Sequence, residues 1–187
     1  MIFENKGKEN TLETLHIALN AAKERGTTTL VVASNAGDTL IELIKMQEEL
    51  GTNVPMIMVG QAYGYPKQGV NTMTDERRAE LTAAGVHIIH AAHALSGAER
   101  GISRKFSGAY PVEIMAHTLR MFGQGTKVCV EIAMMALDNG AIELNKPVVC
   151  VGGSARGADT ACIITPAYTA DCLDTKIHEI LCKPGLY

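Results

Sequence analysis

The sequence predicts an α/β protein: a three-layer α/β/α sandwich with a mixed sheet between two layers of helices. Helical and strand patterns alternate along the chain, which favours a largely parallel sheet covered on both faces. The strand-like runs, 27–33, 55–59 and 148–151 among them, are apolar without alternation, as in strands buried on both sides. No repeat or linker interrupts the 187 residues, so we expect a single domain over 1–187.

The first half of the chain contains three helix–strand units. Asn10 and Glu13 form a capping-box pattern that begins a helix running to Gly26. Gly51 ends the second helix, and a loop at 60–69 follows the second strand. The predicted strands here are 27–33, 55–59 and 86–90, and the helices after the first are 37–50 and 74–84.

The second half returns the chain to the other side of the first strand. A loop with a short helix at 91–108 precedes helices at 111–122 and 126–138, the first beginning with Pro111. Strands follow at 148–151 and 161–165, and a closing helix at 172–181. The nine residues between these strands are too few for a helical crossover, which makes the fifth strand antiparallel. We therefore predict five strands in the order 3-2-1-4-5.

Composition excludes several classes of function. The net charge of −3 and the absence of a basic run argue against nucleic-acid binding. No signal peptide and no membrane-length apolar segment is visible, which predicts a cytoplasmic protein without membrane contact. The five cysteines form no C-x-x-C pair, so Cys129, Cys150 and Cys162 are expected to be small buried residues in a reducing compartment.

The loop after the first strand is the first part of the predicted ligand site. Ligands of open α/β sheets bind where the strand order reverses, here between strands one and four. Gly37 permits close backbone approach, and a helix start offers free N–H groups and about half a positive charge, which favours phosphate. Alternatively, Ser34 or Asp38 only caps the helix. The Asp38 carboxylate disfavours phosphate binding unless it points away from the site. The predicted contacts are Ser34, Asn35, Gly37, Asp38 and Thr39.

The loops after strands four and two complete this predicted site. In the fourth-strand loop, Arg156 is the sole cation, and a structural turn with an Arg156–Asp159 pair is the alternative. After strand two, Tyr63 and Tyr65 offer a stacking surface for a planar ligand, or else pack over the sheet edge. The predicted contacts from the two loops are Gly60, Tyr63, Gly152, Gly153, Ser154, Arg156, Gly157, Ala158, Asp159 and Thr160.

Two further groups of polar residues have no assigned chemistry. His90 and His93 have a spacing compatible with metal ligation, but no carboxylates cluster with them, and we expect no metal. Glu131 lies in an apolar helix and needs a partner, for which Lys127, Arg120 and Arg156 are candidates. We favour a structural ion pair or a subunit contact over catalysis. No nucleophile–base pair is visible, so no reaction and no catalytic residue can be assigned.

Several motifs resemble known proteins. The strand–Ser-x-x-Gly-x-Thr–helix unit at 28–43 resembles the opening of the pyruvate kinase C-terminal domain, whose loop binds the phosphate of an allosteric sugar. The rest looks like a stand-alone family with that fold, largely uncharacterised and found in archaea and bacteria. The segments that carry this second resemblance are 93–97 (HALSG), 105–108 (KFSG), 119–128 (LRMFGQGTKV) and 152–160 (GGSARGADT).

The resemblance implies both a fold and a ligand. The fold implied is a five-stranded α/β/α sandwich of order 3-2-1-4-5 with an antiparallel fifth strand. Members can hold flavin mononucleotide, which implies that Ser34, Gly37 and Thr39 take its phosphate. The residues that would face the ring or the ribityl chain are Gly152, Gly153 and those at 156–160. One departure is at 59–65, where the histidines expected of the family are missing.

Three hypotheses of function follow. The first is a small-molecule-binding domain that holds a phosphorylated planar ligand, flavin mononucleotide. The second is an enzyme that uses a bound flavin or acts on a phosphorylated metabolite. The third is a regulatory module that binds a phosphorylated effector and signals through contacts in a homo-oligomer, with the apolar helix 126–138 at the contact.

Overall fold

The structure is a computed structural model that describes residues 1–26, 29–64 and 67–185. The start of the first predicted strand, at 27–28, lies outside the described residues. So does Tyr65, one of the two tyrosines predicted to stack on a ligand.

The elements follow the expected alternation over most of the chain. The strands are β1 (Ile2–Phe3), β2 (Leu30–Ala33), β3 (Met56–Gln61), β4 (His87–Ala91), β5 (Val148–Gly152), β6 (Thr160–Thr165) and β7 (Lys176–Pro184). The α-helices are α1 (Thr11–Glu24), α2 (Asp38–Glu49), α3 (Asp75–Ala83), α4 (Gly97–Phe106), α5 (Pro111–Arg120) and α6 (Gln124–Asp138). None of the described helices is both long enough and apolar enough to cross a membrane.

The described strands form one mixed sheet of seven strands in the order β1-β7-β6-β5-β2-β3-β4. The prediction of five strands, and of a sheet order that ends at the fifth, is therefore wrong. β2 lies between β5 and β3 and is parallel to both, whereas β6 is antiparallel to β5. The β4-β3-β2-β5-β6 part of the sheet brings the carboxyl ends of β2, β3 and β5 to one edge.

The two additional strands cover the edge that β6 would otherwise expose. The predicted helix at 172–181 is wrong: a 3-10 helix, Thr169–Asp174, precedes β7, which pairs antiparallel with β6. The apolar spacing of this segment suits either structure, and the open edge of β6 supplies backbone partners that only a strand can use. β1 then adds parallel to β7, with Ile2 opposite Lys183.

Two layers of helices bury the sheet. On one face α1, α2 and α3 contribute Leu15, Leu40 and Leu81 to the core. On the other face α6 crosses the centre of the sheet, and α5 packs beside it. Nearly every residue of α6 is buried within the chain itself. This removes the basis for the predicted subunit contact at 126–138, because no large apolar face of α6 is left exposed.

Three of the cysteines lie in the core as expected. Cys129, Cys150 and Cys162 are buried free thiols, which confirms their prediction as small apolar residues. Burial raises the pKa of the Cys129 and Cys150 thiols well above the usual value, so both are held in the unreactive protonated form.

Candidate functional site

A cleft of about 990 Å³ lies at the carboxyl edge of the sheet. The segments that follow β2, β3 and β5 form part of its wall, and one face of α6 lines it as well. The start of α1 contributes Lys8, Glu9, Thr11 and Leu12. Among the residues predicted to contact a ligand, those that line the cleft are Ser34, Asn35, Asp38, Thr39, Gly60, Gly153, Ser154, Arg156 and Gly157.

The loop after β2 forms a tight entry into α2. Gly37 caps the helix with φ at 91°, a left-handed conformation that favours glycine, and its N–H donates to Ser34 Oγ at 3.1 Å. Leu40 and Ile41 are the first donors to the Gly37 carbonyl oxygen, at 3.0 and 3.2 Å. The N–H groups of Asp38 and Thr39 therefore precede the helical hydrogen bonds. The Ser34 hydroxyl oxygen accepts from Gly37, and its proton is available to a ligand.

Ion pairs occupy most of the charges at the mouth of the cleft. Asp38 pairs with Arg77 at 3.3 Å, and Arg77 also contacts Glu80 at 3.0 Å. Lys45 pairs with a neighbouring carboxylate of α2 at 3.3 Å. Lys8 and Arg156, both exposed, line the same cleft, and within the described residues neither forms an ion pair. These two side chains are positive charges that a bound anion could neutralise.

Asp159 is the structural centre of the loop after β5. Its fully buried carboxylate accepts hydrogen bonds from the N–H groups of Gly7 at 3.0 Å and Ser154 at 3.1 Å, and from the Thr160 hydroxyl at 2.9 Å. It does not pair with Arg156. Asp159 thus ties the loop to the N-terminal segment and leaves Arg156 free at the surface. Gly152, Ala158 and Thr160 are buried beside it and do not line the cleft.

Close backbone packing explains two glycines of this loop. A Cβ on Gly153 would lie 2.4 Å from the Gly157 carbonyl oxygen, and one on Gly152 would lie 2.8 Å from the Gly125 carbonyl oxygen. These distances are too short for any side chain. The glycines are therefore required by the shape of the loop itself, with or without a ligand.

The segment after β3 contributes polar groups to the cleft, but Tyr63 is directed elsewhere. At the end of β3, the Gln61 N–H donates to Asn35 Oδ1 at 3.1 Å, which joins this strand end to the loop after β2. Tyr63 does not line the cleft: its hydroxyl accepts from Arg78 at 2.9 Å, and its ring meets the His90 ring edge-on at 5.5 Å. This contact agrees with the packing role weighed for Tyr63.

A buried charged cluster forms part of the cleft wall. Glu131 Oε2 accepts from Lys127 Nζ and lies 3.2 Å from His93 Nδ1, while Glu131 Oε1 accepts from the Leu95 N–H at 2.9 Å. Burial alone would raise the pKa of the Glu131 carboxyl, but His93 and Lys127 outweigh it and lower that pKa to about 2. Burial lowers the pKa of the Lys127 ammonium. Of the partners considered for Glu131, the structure selects Lys127.

Several residues that line the cleft were not predicted from the sequence. Val128, Glu131, Ile132 and Met135 share one face of α6, and their helical spacing was a signal that could have identified this wall. Lys8 and Thr11 had no such signal, because they meet the loop only in the fold. The Ala158 N–H donates to Thr11 Oγ1 at 3.1 Å, across 147 residues of sequence.

No metal-binding cluster appears in this site or in the rest of the described chain. Within residues 1–26, 29–64 and 67–185, no three His, Cys, Asp or Glu side chains come together to hold an ion. His90 and His93 have separate partners: His90 Nδ1 lies 3.1 Å from the Gln61 carbonyl oxygen, and His93 contacts Glu131.

The fold and this edge-of-sheet cleft define the class of protein. A family model described as pyruvate kinase, alpha/beta domain, matches residues 13–164. The chain belongs to that family. The match spans most of the sequence, from α1 through β6, and it confirms the resemblance seen in the motifs.

Proposed function

We propose that the protein binds a phosphorylated small molecule in the cleft, with flavin mononucleotide as its ligand. The observation that carries the proposal is the pair of exposed cations, Lys8 and Arg156, which share the cleft with the open first turn of α2. A phosphate needs donors and positive charge, and the lining of the cleft supplies both.

The phosphate would bind at the start of α2. The N–H groups of Asp38 and Thr39 and the hydroxyl of Ser34 are available as donors, and the helix adds a partial positive charge. The Asp38 carboxylate is the main obstacle, because it repels an anion. Its ion pair with Arg77 offsets that repulsion.

The body of the ligand would lie against the apolar wall of the cleft. Val59, Ile132 and Met135 line this wall, and Gln61 adds a polar side chain. The cleft volume lies in the range of sites for cofactor-sized ligands. Because Tyr63 packs on His90, a flavin ring would contact aliphatic side chains rather than that tyrosine. A bound flavin would supply redox chemistry, which keeps an enzymatic role as an alternative.

The first experiment is the absorption spectrum of the protein as purified, in which flavin bands support the proposal. The ligand-free protein is then titrated with flavin mononucleotide and with riboflavin, which lacks the phosphate. A charge-assisted hydrogen bond contributes about 1.5–3 kcal/mol, so we expect the phosphorylated form to bind at least tenfold more tightly.

Variants locate the site. Arg156→Ala should weaken binding of flavin mononucleotide about tenfold and leave riboflavin nearly unaffected. Lys146→Ala removes an exposed cation that does not line the cleft and is the matched control. Equal affinity for the two flavins, or equal loss in both variants, would refute the phosphate site.

A regulatory module that self-associates is the second candidate, and exposed apolar side chains in the α4–α5 region favour it. Phe106 of α4, Ile114 of α5, and Met121 and Phe122 after α5 are each more than half exposed. We propose that these side chains, in place of α6, contribute to a contact between two copies of the chain. Light scattering of the wild type and of a Phe106→Ser/Met121→Ser variant tests it, and a monomeric wild type would reject it.

A further inference from the structure

Glu131 organises three donors around one buried carboxylate. Glu131 is 1% exposed and Lys127 is 3% exposed, so the two form a buried ion pair one helical turn apart on α6. The Leu95 N–H, from the segment between β4 and α4, occupies the other carboxylate oxygen. His93 is the third partner, and its side chain is 43% exposed at the wall of the cleft.

This arrangement determines which nitrogen of His93 remains available to a ligand. An ionised carboxylate only accepts hydrogen bonds, so the contact with Glu131 requires a proton on Nδ1 of His93. In the neutral ring the other nitrogen, Nε2, is then an acceptor. Within the described residues Nε2 has no hydrogen-bond partner.

Anchoring of the loop does not by itself require the imidazole. Lys127 already balances the charge of Glu131, and the Leu95 N–H already ties the 92–96 segment to α6. His93 is the exposed member of the cluster, and a buried ion pair holds its ring in one orientation. An oriented histidine beside a buried carboxylate is an arrangement that presents one nitrogen to a site.

We propose that His93 Nε2 is a ligand contact in the cleft, where it accepts a hydrogen bond from a hydroxyl or ring N–H of the phosphorylated molecule. Glu131 is a positioning residue that acts through His93. The inference rests on the proposed function and deepens it: the ligand carries a hydrogen-bond donor in addition to its phosphate.

Two substitutions at His93 separate ligand binding from structure. His93→Asn keeps an N–H donor near the Nδ1 position for Glu131 and removes the acceptor at Nε2. His93→Gln instead extends an amide to the Nε2 position. We expect His93→Asn to weaken flavin mononucleotide binding about three- to tenfold with an unchanged unfolding temperature, and His93→Gln to retain part of the affinity.

The same titrations include a control variant and can give a result that refutes the inference. His117→Asn changes an exposed histidine of α5 that does not line the cleft, and it should bind as the wild type does. If His93→Asn binds like the wild type while His93→Gln is less stable, His93 has only a structural role and the inference is wrong.

A second measurement follows the ring nitrogens directly. In ¹⁵N NMR spectra of the ligand-free protein, we expect the neutral His93 ring to be protonated at Nδ1 and unprotonated at Nε2. In Glu131→Gln, we expect a mixture of the two tautomers. A wild-type ring protonated at Nε2 would overturn the inference. Titration with flavin mononucleotide, and with ribose 5-phosphate as a second probe that lacks the flavin ring system, should shift the Nε2 resonance.

These probes separate the two proposals. A wild type that binds neither compound refutes the proposed function, and the inference with it. Binding of either compound with an unmoved Nε2 resonance refutes the inference alone.

Discussion

Replacing Lys127 with methionine tests the buried ion pair of α6. Methionine keeps most of the side-chain volume, so the principal change is the loss of the ammonium beside Glu131, which is 1% exposed. Removing one partner of a buried pair costs about 3–5 kcal/mol, because an uncompensated charge remains. His93 and the Leu95 N–H still contact the Glu131 carboxylate, so we expect the lower end, about 3 kcal/mol.

The pH dependence of the wild type measures the net contribution of Glu131 with all of its partners. The pKa of Glu131 is lowered from 4.5 to about 2, so this group stabilises the fold above pH 4.5 and loses that contribution as the pH falls through 2. At about 1.4 kcal/mol for each pKa unit, the contribution is about 3 kcal/mol. In Glu131→Gln, the fall in stability between pH 4.5 and 2 should shrink by that amount.

Urea denaturation at pH 7 measures the free energy of unfolding of each variant. Lys146→Met, at an exposed position, is the matched control and should change it by less than 0.5 kcal/mol, roughly the usual range for surface substitutions. Lys127→Met/Glu131→Leu removes both charges and should recover much of the loss. A loss below about 1 kcal/mol in Lys127→Met would show that the pair does not stabilise the fold, and the reasoning would fail.

Three further predictions concern packing, the loop after β5 and the thiols. Gly125→Ala should cost about 1–3 kcal/mol by urea denaturation, since its Cβ would lie 2.0 Å from Thr160 Oγ1; an unchanged midpoint would contradict this contact. Asp159→Ala should cost about 3 kcal/mol because two backbone donors lose their acceptor, and Asp159→Asn should cost less; equal losses would argue against the carboxylate as anchor. In the native protein a thiol reagent should modify Cys172 first, and rapid modification of any other cysteine would contradict their burial. The cysteines expected to react only after unfolding are Cys129, Cys150, Cys162 and Cys182.

Local patterns predicted most of the elements because their physical causes are local. The Thr74 hydroxyl accepts from the Arg77 N–H at 3.2 Å, so the N-terminus of α3 depends on residues three apart. Pro111 begins α5 for an equally local reason. The helix prediction for 172–181 failed because the apolar spacing of this segment suits a helix and a strand alike. The unpaired edge of β6 decided in favour of a strand.

The candidate site likewise has features that local sequence predicts and features that depend on the tertiary structure. The sequence by itself determined the family, the strand ends from which the site loops leave, and the small residues that those loops contain. Only the tertiary structure decided that Asp159 anchors to Gly7, that Tyr63 packs on His90, and that Lys8 joins Arg156 at the cleft. These contacts join segments far apart in the chain, up to 152 residues for Asp159, and no local periodicity encodes which distant surfaces meet when a sheet closes.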